Sequence, residues 1–290
     1  MTGPIPWPDG YRAAACFTFD ADAEAVMLAE DPATANYPDV MTHQEYGPRV
    51  AIPRILRLLD RAGIRATFFI PGYTAERWTD VCRSVRDAGH EIGHHGYLHE
   101  SIRGVDEDKE ERVLRRGMEA LDAILGIRPV GYRAPGWELN YRTPAILARN
   151  GFRYSSNHMD SDWPYLLGTS AASGAPTLVE LPVHWSLDDW NRYNYVPPYT
   201  RNAVSNPQDV LAAWTVELEA LADEGGLFMH TNHPFVSGRP SRAAALGTLI
   251  ERANGIEGMW VATAGEIAAW VETLDLAPVL HEPPAFSPVS

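Results

Sequence analysis

The sequence predicts an α/β protein with one domain organised around a parallel β-sheet. Short apolar segments typical of buried strands alternate with amphipathic helical patterns about seven or eight times along the chain. The 290 residues are 45% hydrophobic and 21% charged, which is enough apolar material for one large core. Residues 1–276 contain neither an internal repeat nor a linker. The alternation is compatible with a (β/α) barrel and with a doubly wound open sheet.

The N-terminal elements begin with a short apolar strand. Residues 13–19, AAACFTF, predict a buried strand that ends in a group of carboxylates. Residues 25–48 have weak periodicity and several prolines, so we expect a long loop that covers a site. An amphipathic helix at 49–62 ends at Gly63. The next predicted elements are a strand at 65–70 and a helix at 75–88.

The remaining elements follow the same alternation. Between the strands at 152–157 and 178–183 we expect a loop or a small insertion, and residues 184–199, rich in Trp, Tyr, Asp and Pro, should form a shaped loop. The Pro-rich tail, 277–290, is expected to lie on the surface or against a second subunit of a homo-oligomer. The elements predicted after residue 100 are helices at 106–125, 143–150, 207–223, 241–253 and 265–274, and strands at 129–132, 152–157, 178–183, 226–231 and 259–262.

Charge and composition narrow the classes of partner. The chain has 38 acidic and 24 basic residues, a formal charge of -14, so we expect neither nucleic acid nor an anionic membrane as a partner. A small molecule or a carbohydrate fits better, and no segment approaches the ~20 apolar residues that span a bilayer. The N-terminus, MTGPIPWPDGYR, lacks the basic and apolar regions of a signal peptide, which predicts a cytoplasmic protein. Cys16 and Cys82 predict two reduced thiols rather than a disulfide framework.

The segment at residues 89–100, GHEIGHHGYLHE, is the strongest indication of a metal site. It begins with a short strand pattern that opens into a loop, which is where α/β proteins place binding residues. His95 and His99 are four residues apart and would share one face of a helical turn, a spacing that suits two imidazole ligands of one divalent ion. The same spacing also occurs by chance on solvated helices, so the pair alone leaves both interpretations open. We expect His90 and His94 not to bind metal, one facing solvent and the other packed.

Five short motifs, ordered along about residues 10–275, resemble those of the polysaccharide deacetylase family. They are a strand end with two aspartates, a His-x-x-x-His pair, an Arg-x-Pro loop, an Asp-rich segment with a tryptophan, and a final histidine. In this sequence they lie at 18–22, 95–99, 133–135, 187–190, and near His230 and His233. The resemblance implies a single domain over residues 1–290, folded as a distorted (β/α)7–8 barrel with its core at about 10–276.

The resemblance also assigns roles to individual residues. Asp22, His95 and His99 would bind a divalent metal ion, with zinc as the default and cobalt, nickel or iron as alternatives. Asp20 would be the catalytic base and His233 the acid. The chemistry is consistent with these roles, because two imidazoles and one carboxylate leave positions open for a water and a carbonyl oxygen. A second carboxylate and an imidazolium can then transfer protons.

Supporting residues follow from the same motifs. Arg133 is expected to hold Asp20 charged and oriented rather than to touch substrate. His230 is the alternative acid, but the sequence around His233 matches the family better. The aromatic loop could stack on a sugar or on a planar ring, or form an oligomer contact. The candidate substrate-binding residues are Tyr46, Trp137 and Trp190.

Two departures from the family pattern bear on the interpretation. Ala21 separates aspartates that are adjacent in the family, which predicts a different kink or bulge at the strand end. Residues 233–240 look more like a subgroup that includes peptidoglycan deacetylases and enzymes that open cyclic imides or allantoin-like rings. The metal-independent, allantoin-cleaving relatives lack the aspartate pair, so its presence here favours a metal.

The sequence therefore predicts a metal-dependent hydrolase of non-peptide carbon–nitrogen bonds. Deacetylation of an N-acetylated sugar ranks first by resemblance, and the alternative is a cytoplasmic enzyme that opens a small cyclic imide or allantoin-like ring. A non-haem iron oxygenase also uses two histidines and a carboxylate, but such enzymes normally have all-β folds. An inactive binding module is expected to have lost a ligand or Asp20, and none is missing.

Overall fold

The computed structural model describes residues 3–200 and 203–285, and the strands found there form one curled sheet. The strands are β1 Ala13–Asp20, β2 Thr67–Ile70, β3 Glu91–His94, β4 Gly131–Tyr132, β5 Tyr154–Ser155, β6 Tyr165–Gly168, β7 Thr177–Glu180, β8 Leu227–Asn232 and β9 Met259–Val261. The helices are α1 Ala25–Glu30, α2 Pro38–Tyr46, α3 Ile52–Ala62, α4 Gly72–Arg77, α5 Thr79–Asp87, α6 Glu107–Leu125, α7 Thr143–Arg149, α8 Trp190–Tyr193, α9 Pro207–Glu224, α10 Pro234–Ser237, α11 Pro240–Gly255 and α12 Ala264–Val271. Short 3₁₀ turns occur at Pro32–Asn36, Pro135–Trp137 and Trp185–Leu187, and a π-helical turn at Gly47–Ala51.

The sheet order is β6-β7-β5-β4-β3-β2-β1-β8, with β9 also paired to β1. Neighbouring strands are parallel except for β6 and β7. Strand β8 pairs with one edge of β1, while β9 and then β2 pair with its other edge. Within the described ranges β6 and β8 are not paired to each other, so the barrel is open. The predicted distorted (β/α)7–8 barrel is confirmed in this half-barrel form.

Side chains of β1 alternate between two cores on opposite faces of the sheet. Phe17 and Phe19 pack in the larger core with helical residues such as Leu218 of α9. Cys16 belongs to the core on the other face, together with Met229 of β8. The alternation continues to the C-terminal end of β1, where polar side chains replace apolar ones.

The segment at 25–51 is helical, so the predicted long loop at 25–48 is wrong. The prolines that suggested a loop occupy the first turns of these helices, where a missing N–H costs little. They are Pro32, Pro38 and Pro48. Met27 and Val40 pack with Val196 in a small separate core. These short helices therefore depend on tertiary contacts, which leave only a weak periodic pattern in the sequence.

The region between β5 and β7 contains an additional strand, β6, where we expected only a loop or insertion. Residues 184–199 hold two short helical turns inside the predicted shaped loop. The tail lies along β6, because Val279 exchanges backbone hydrogen bonds with Leu166 and Gly168, at 2.7 and 2.8 Å. The end of the predicted tail, 286–290, lies outside the described residues. The other predicted elements are present with shifted ends, and the helix predicted at 75–88 is divided into α4 and α5.

Two further expectations concern the whole chain. In the part that the structure describes, no helix is both long enough and apolar enough to cross a bilayer. Cys16 and Cys82 are buried and not bonded to each other. Burial raises the pKa of both thiols, that of Cys82 to about 12.

Gly117 lets α6 pack directly against the end of β3. A Cβ atom at Gly117 would lie 2.4 Å from Nε2 of His94 and 2.6 Å from the carbonyl oxygen of Gly96. His94 cannot easily retreat, because its Nε2–H donates to the Leu114 carbonyl oxygen at 2.9 Å and its Nδ1 accepts from the Gly96 N–H at 3.1 Å. A side chain at this helix position would therefore push on the loop that follows β3.

We expect Gly117→Ala to lower the free energy of unfolding by about 1–3 kcal/mol, as overpacking does in a well-packed core. Urea denaturation measures this change. Gly255→Ala is the matched control, because position 255 also lies in a helix and a Cβ there meets nothing within 4 Å. That control should be neutral or stabilising by up to about 1 kcal/mol through helix propensity. Equal behaviour of the two variants would contradict the packing argument.

Candidate functional site

The C-terminal end of β1 places two carboxylates on one face. Asp20 is the last residue of β1, and the N–H of Ala21 continues the ladder by donating to the Phe69 carbonyl oxygen at 2.8 Å. Because side chains alternate along a strand, Ala21 points into the larger core while Asp20 and Asp22 point the other way. The chain turns only after Asp22, where Ala23 has a φ of 49°. The predicted kink or bulge is therefore not needed, since Ala21 is the spacer that regular alternation requires.

Two histidines reach Asp22 from an irregular loop after β3, as the strand-to-loop pattern predicted, and not from a helical turn. Gly96 and His99 have φ values of 74° and 63°, in the left-handed region that interrupts a helix. The loop nevertheless brings the rings of His95 and His99 to a centroid distance of 5.1 Å. Nε2 of His95 lies 3.4 Å from Asp22 Oδ1, and Nε2 of His99 lies 3.8 Å from Asp22 Oδ2. The three side chains thus surround one point.

These three side chains have the free atoms and the protonation that a divalent ion requires. Nδ1–H of His95 donates to the Arg133 carbonyl oxygen at 2.8 Å, so its Nε2 carries the lone pair that faces Asp22. Burial lowers the pKa of His95 to about 3 and that of His99 well below its ordinary value, so both rings are neutral. Among the described residues, neither oxygen of Asp22 has a hydrogen-bond partner, which is costly for a buried carboxylate. A divalent ion would satisfy all of these atoms.

Arg133, in the loop after β4, is fully buried and holds Asp20. Its Nη1 donates to Asp20 Oδ1 at 2.9 Å and to the Thr18 hydroxyl at 2.6 Å, and its Nη2 donates to the Ser156 hydroxyl at 2.9 Å. Because Oδ1 of Asp20 is engaged, its other oxygen faces the histidines, 4.0 Å from Nε2 of His95. Arg133 thus orients Asp20 and does not line the cleft described below.

His233 approaches the same point from the end of β8. Its Nε2 lies 3.7 Å from Asp22 Oδ2, and its Nδ1–H donates to Asp189 Oδ1 at 2.7 Å. Asp189 is fixed in turn by the backbone N–H of His233, at 2.9 and 3.0 Å from its two oxygens. Burial alone would lower the pKa of His233, but the charges of Asp189, Asp188 and Asp22 raise it to about 10. At neutral pH both ring nitrogens therefore carry protons, and one N–H points into the site.

His230, the alternative acid, has its side chain inside the core. Nδ1 of His230 accepts from the Asn232 amide at 2.9 Å, and its ring packs against Phe228 and Trp214. Burial lowers the pKa of His230 to about 3, so the ring is a neutral imidazole at neutral pH and cannot serve as an imidazolium acid. The geometry favours His233 as the group that can act as an acid.

A cavity of about 320 Å³ opens onto these groups and forms the cleft of the site. His99, Asp188 and His233 line its floor, and apolar side chains including Trp185 and Trp190 form its walls. Trp190, which we expected to contact substrate, lies with its ring centroid 5.0 Å from that of His233. The cleft therefore offers flat apolar surfaces beside titratable groups.

The other two predicted substrate contacts lie elsewhere. Trp137 packs against Trp185, with ring centroids 4.5 Å apart, and lines a neighbouring cavity rather than the cleft. The Tyr46 hydroxyl accepts from Arg54 at 2.8 Å, and the guanidinium of Arg239 covers the Tyr46 ring at 3.6 Å. Neither position supports direct contact with a ligand in the cleft, so these two assignments need correction. Trp137 supports the cleft wall from behind, and Tyr46 supports the segment after His233.

The remaining histidines of the segment at 89–100 are both buried, so the expectation that one faces solvent is wrong. Nδ1 of His90 accepts from the Ala66 N–H at 3.2 Å. His94 is held by Leu114, as described above. Both rings are structural.

Sequence reasoning missed the residues that hold the predicted site in place. Asp189 had a visible signal, because it belongs to the Asp-rich motif next to Trp190, but its partner His233 is 44 residues away. Ser156, which accepts from Arg133, had no signal, because only the fold brings that strand end beside β1.

Comparison with known proteins places the chain near one group of enzymes. A family model described as "Polysaccharide deacetylase" matches residues 34–155, a range that contains His95, His99 and Arg133. A peptidoglycan deacetylase of Helicobacter pylori is 32% identical over 255 residues, which cover 80% of this chain and 87% of that protein. A solved structure from Mycobacterium smegmatis, assigned to the polysaccharide deacetylases, has a TM-score of 0.95 and 48% identity and covers 98% of this chain and 99% of its own. The structure of Puue allantoinase has a TM-score of 0.77 and 25% identity, with 93% of both chains covered.

We expect Asp22→Asn to weaken Zn²⁺ binding by about 100-fold or more, because it removes the only carboxylate of the three-residue cluster. Asp20→Asn is the matched control, since it changes the neighbouring carboxylate that Arg133 already engages, and it should leave the affinity nearly unchanged. Competition with a chromogenic chelator measures both values. Asp22→Asn with the affinity of the wild type would rule out this ligand set.

Proposed function

Because the chain belongs to the polysaccharide deacetylase family, metal-dependent amide hydrolases that act on non-peptide carbon–nitrogen bonds, we propose that it removes the acetyl group from an N-acetylated sugar. A divalent ion, with zinc as the first choice, would be held by Asp22, His95 and His99. One observation carries the proposal. Two atoms of Asp22 and one of His95 have no hydrogen-bond partner in the described part of the chain, and they lie between a carboxylate and a protonated imidazole.

The proposed ion and the residues that would hold it have separate roles in hydrolysis. A bound divalent ion supplies Lewis acidity, which polarises a carbonyl group and lowers the pKa of water. Asp22, His95 and His99 would hold that ion beside the cleft. His95 is oriented for this task by its hydrogen bond to the Arg133 carbonyl oxygen.

Asp20 acts as the general base. Arg133 occupies one oxygen of Asp20, so only the other oxygen can accept the proton of the attacking water. Two nitrogens of the Arg133 guanidinium donate hydrogen bonds to three acceptors, one of which is Asp20. This rigid arrangement prevents the Asp20 carboxylate from rotating. The direction of proton transfer is therefore set before substrate binds.

His233 acts as the general acid. Its Nδ1–H stays hydrogen-bonded to Asp189. Its Nε2–H points toward the site and can protonate the leaving nitrogen. Asp188 adds a second carboxylate, 3.5 Å from Nδ1 of His233. An amine leaves only when it receives a proton, so these carboxylates support catalysis by keeping His233 charged.

A second candidate is the opening of a small cyclic imide. The similarity to an allantoinase structure favours it, because that enzyme's name describes action on a ring with amide bonds. The flat walls formed by Trp185 and Trp190 would accept a planar ring as well as a sugar face. The same base and acid serve both reactions, so only the substrate distinguishes them.

The test is to assay the Zn²⁺-loaded protein for acetate release from N-acetylglucosamine oligomers and for ring opening of succinimide. We expect acetate release that stops when a chelator removes the metal and returns when Zn²⁺ is added back. Asp20→Asn should retain metal and lose about 10²–10⁴-fold in kcat. Imide opening without acetate release would move the proposal to the second candidate. Turnover that survives complete removal of metal would contradict the proposed mechanism.

Asp189→Asn should move the alkaline limb of the kcat/KM profile to lower pH. His233 must be protonated to act as an acid, so activity is lost as pH rises through its pKa, and Asp189 is the strongest of the charges that raise that pKa to about 10. We expect a displacement of about one pH unit or more. Asp223→Asn, which changes an exposed aspartate, is the control and should leave the profile unchanged. An unchanged limb in Asp189→Asn would exclude His233 as the acid.

A further inference from the structure

A second group of potential metal ligands lies outside the catalytic cleft. His158, Asp160 and His281 each present a ligand atom, and these atoms lie within 4.8 Å of one another. Nε2 of His281 is 3.3 Å from Asp160 Oδ2. All three side chains line a cavity of about 540 Å³, which is not lined by any of Asp22, His95 and His99. The cluster is partly exposed, so an ion could reach it from solvent.

The tail supplies the third member of this cluster. His281 follows Val279, whose backbone pairs with Leu166 and Gly168 of β6. His158 and Asp160 lie between β5 and β6, on the body of the domain. The cluster therefore exists only when the tail lies along the sheet.

The Tyr165 hydroxyl links all three members of the cluster. It donates to Asp160 Oδ1 at 3.0 Å and lies 3.1 Å from both Nδ1 of His158 and Nε2 of His281. The second oxygen of Asp160 remains available on the side of His281. Tyr165 can keep its bond to Asp160 while the imidazoles turn toward an ion.

A buried carboxylate behind His158 supplies an independent indication. Glu180 is fully buried, and its Oε1 accepts from the backbone N–H groups of Asn157 and His158. Its Oε2 has no hydrogen-bond partner in the described ranges and lies 3.8 Å from Nδ1 of His158. Metal-binding histidines commonly donate their second N–H to such a carboxylate, which fixes the ring and increases its basicity. Glu180 would do this for His158 after a small turn of the ring, because the 3.8 Å separation is longer than a hydrogen bond.

We propose that His158, Asp160 and His281 form a second divalent metal site that fastens the tail to the sheet. Two imidazoles and one carboxylate select borderline transition metals such as Zn²⁺, Co²⁺ or Ni²⁺ over Ca²⁺ or Mg²⁺. Three protein ligands leave a fourth position for water or for a donor atom of a ligand in the adjoining cavity. This second site takes no part in hydrolysis. Its role is to hold the tail in place as one wall of the cavity. It does not depend on the proposed function.

The test counts Co²⁺ bound per chain by equilibrium dialysis in four proteins. The wild type should bind about two ions, and Asp22→Asn/His95→Gln, which disables the catalytic cluster, should bind about one. His158→Gln/His281→Gln should also bind about one, and the combination of all four changes none. If the Asp22→Asn/His95→Gln protein binds no ion, the second site is overturned. If His158→Gln/His281→Gln binds as many ions as the wild type, the ligand assignment is overturned.

Two controls distinguish a metal site from a cluster that is held together by hydrogen bonds alone. His184→Gln removes an exposed histidine outside both clusters and should change nothing. Tyr165→Phe should retain the second Co²⁺, because the tyrosine is not a ligand in the proposal. Hydrogen exchange at the amides of Val279 and Gly168 should slow by tenfold or more when Co²⁺ is added to Asp22→Asn/His95→Gln. Exchange that is unaffected by Co²⁺ would overturn the fastening of the tail, whether or not the protein has hydrolase activity.

Discussion

The ion pair between Arg133 and Asp20 is the interaction on which the site depends. A fully buried guanidinium is strongly destabilising unless its charge and its N–H groups find partners. Here Asp20, Thr18 and Ser156 accept hydrogen bonds from its two terminal nitrogens, and each comes from near a strand end that the curled sheet brings to the centre. The carbonyl oxygen of the same residue orients His95. The proposed base and one of the proposed metal ligands are therefore positioned by the same buried residue.

Most of the fold could be predicted because its pattern is local. The apolar run of β1 and the amphipathic stripe of α6 reveal their structure within a few residues. The spacing of Asp20 and Asp22 is equally informative, because a period of two places both carboxylates on one face of an extended chain. Adjacent aspartates in the family suggest a distortion at Ala21, whereas the strand's own alternation requires none.

The parts that sequence could not predict are those fixed by distant contacts. The helices at 25–51 pack against Val196, so their own periodicity is weak. The loop that carries His95 and His99 needs left-handed backbone at His99, which is uncommon for residues other than glycine and which spacing alone does not indicate. Residue type alone does not identify aromatic substrate contacts, since Tyr46 shows that an aromatic residue near the site can serve packing alone.

Charge balance in the site favours a divalent ion. The ionisable groups that converge there, besides the neutral His95 and His99, are Asp20, Asp22, Asp188, Asp189, Arg133 and His233. If all of these are charged, the negative charges exceed the positive ones by two, in a region with little water. Without an ion, burial raises the pKa of Asp22, with His233 opposing the rise and Asp20 adding to it, and burial raises the pKa of Asp188 to about 7. A divalent ion would balance the excess and keep both carboxylates ionised. The surplus of carboxylates is therefore the electrostatic feature that the proposed divalent ion would neutralise.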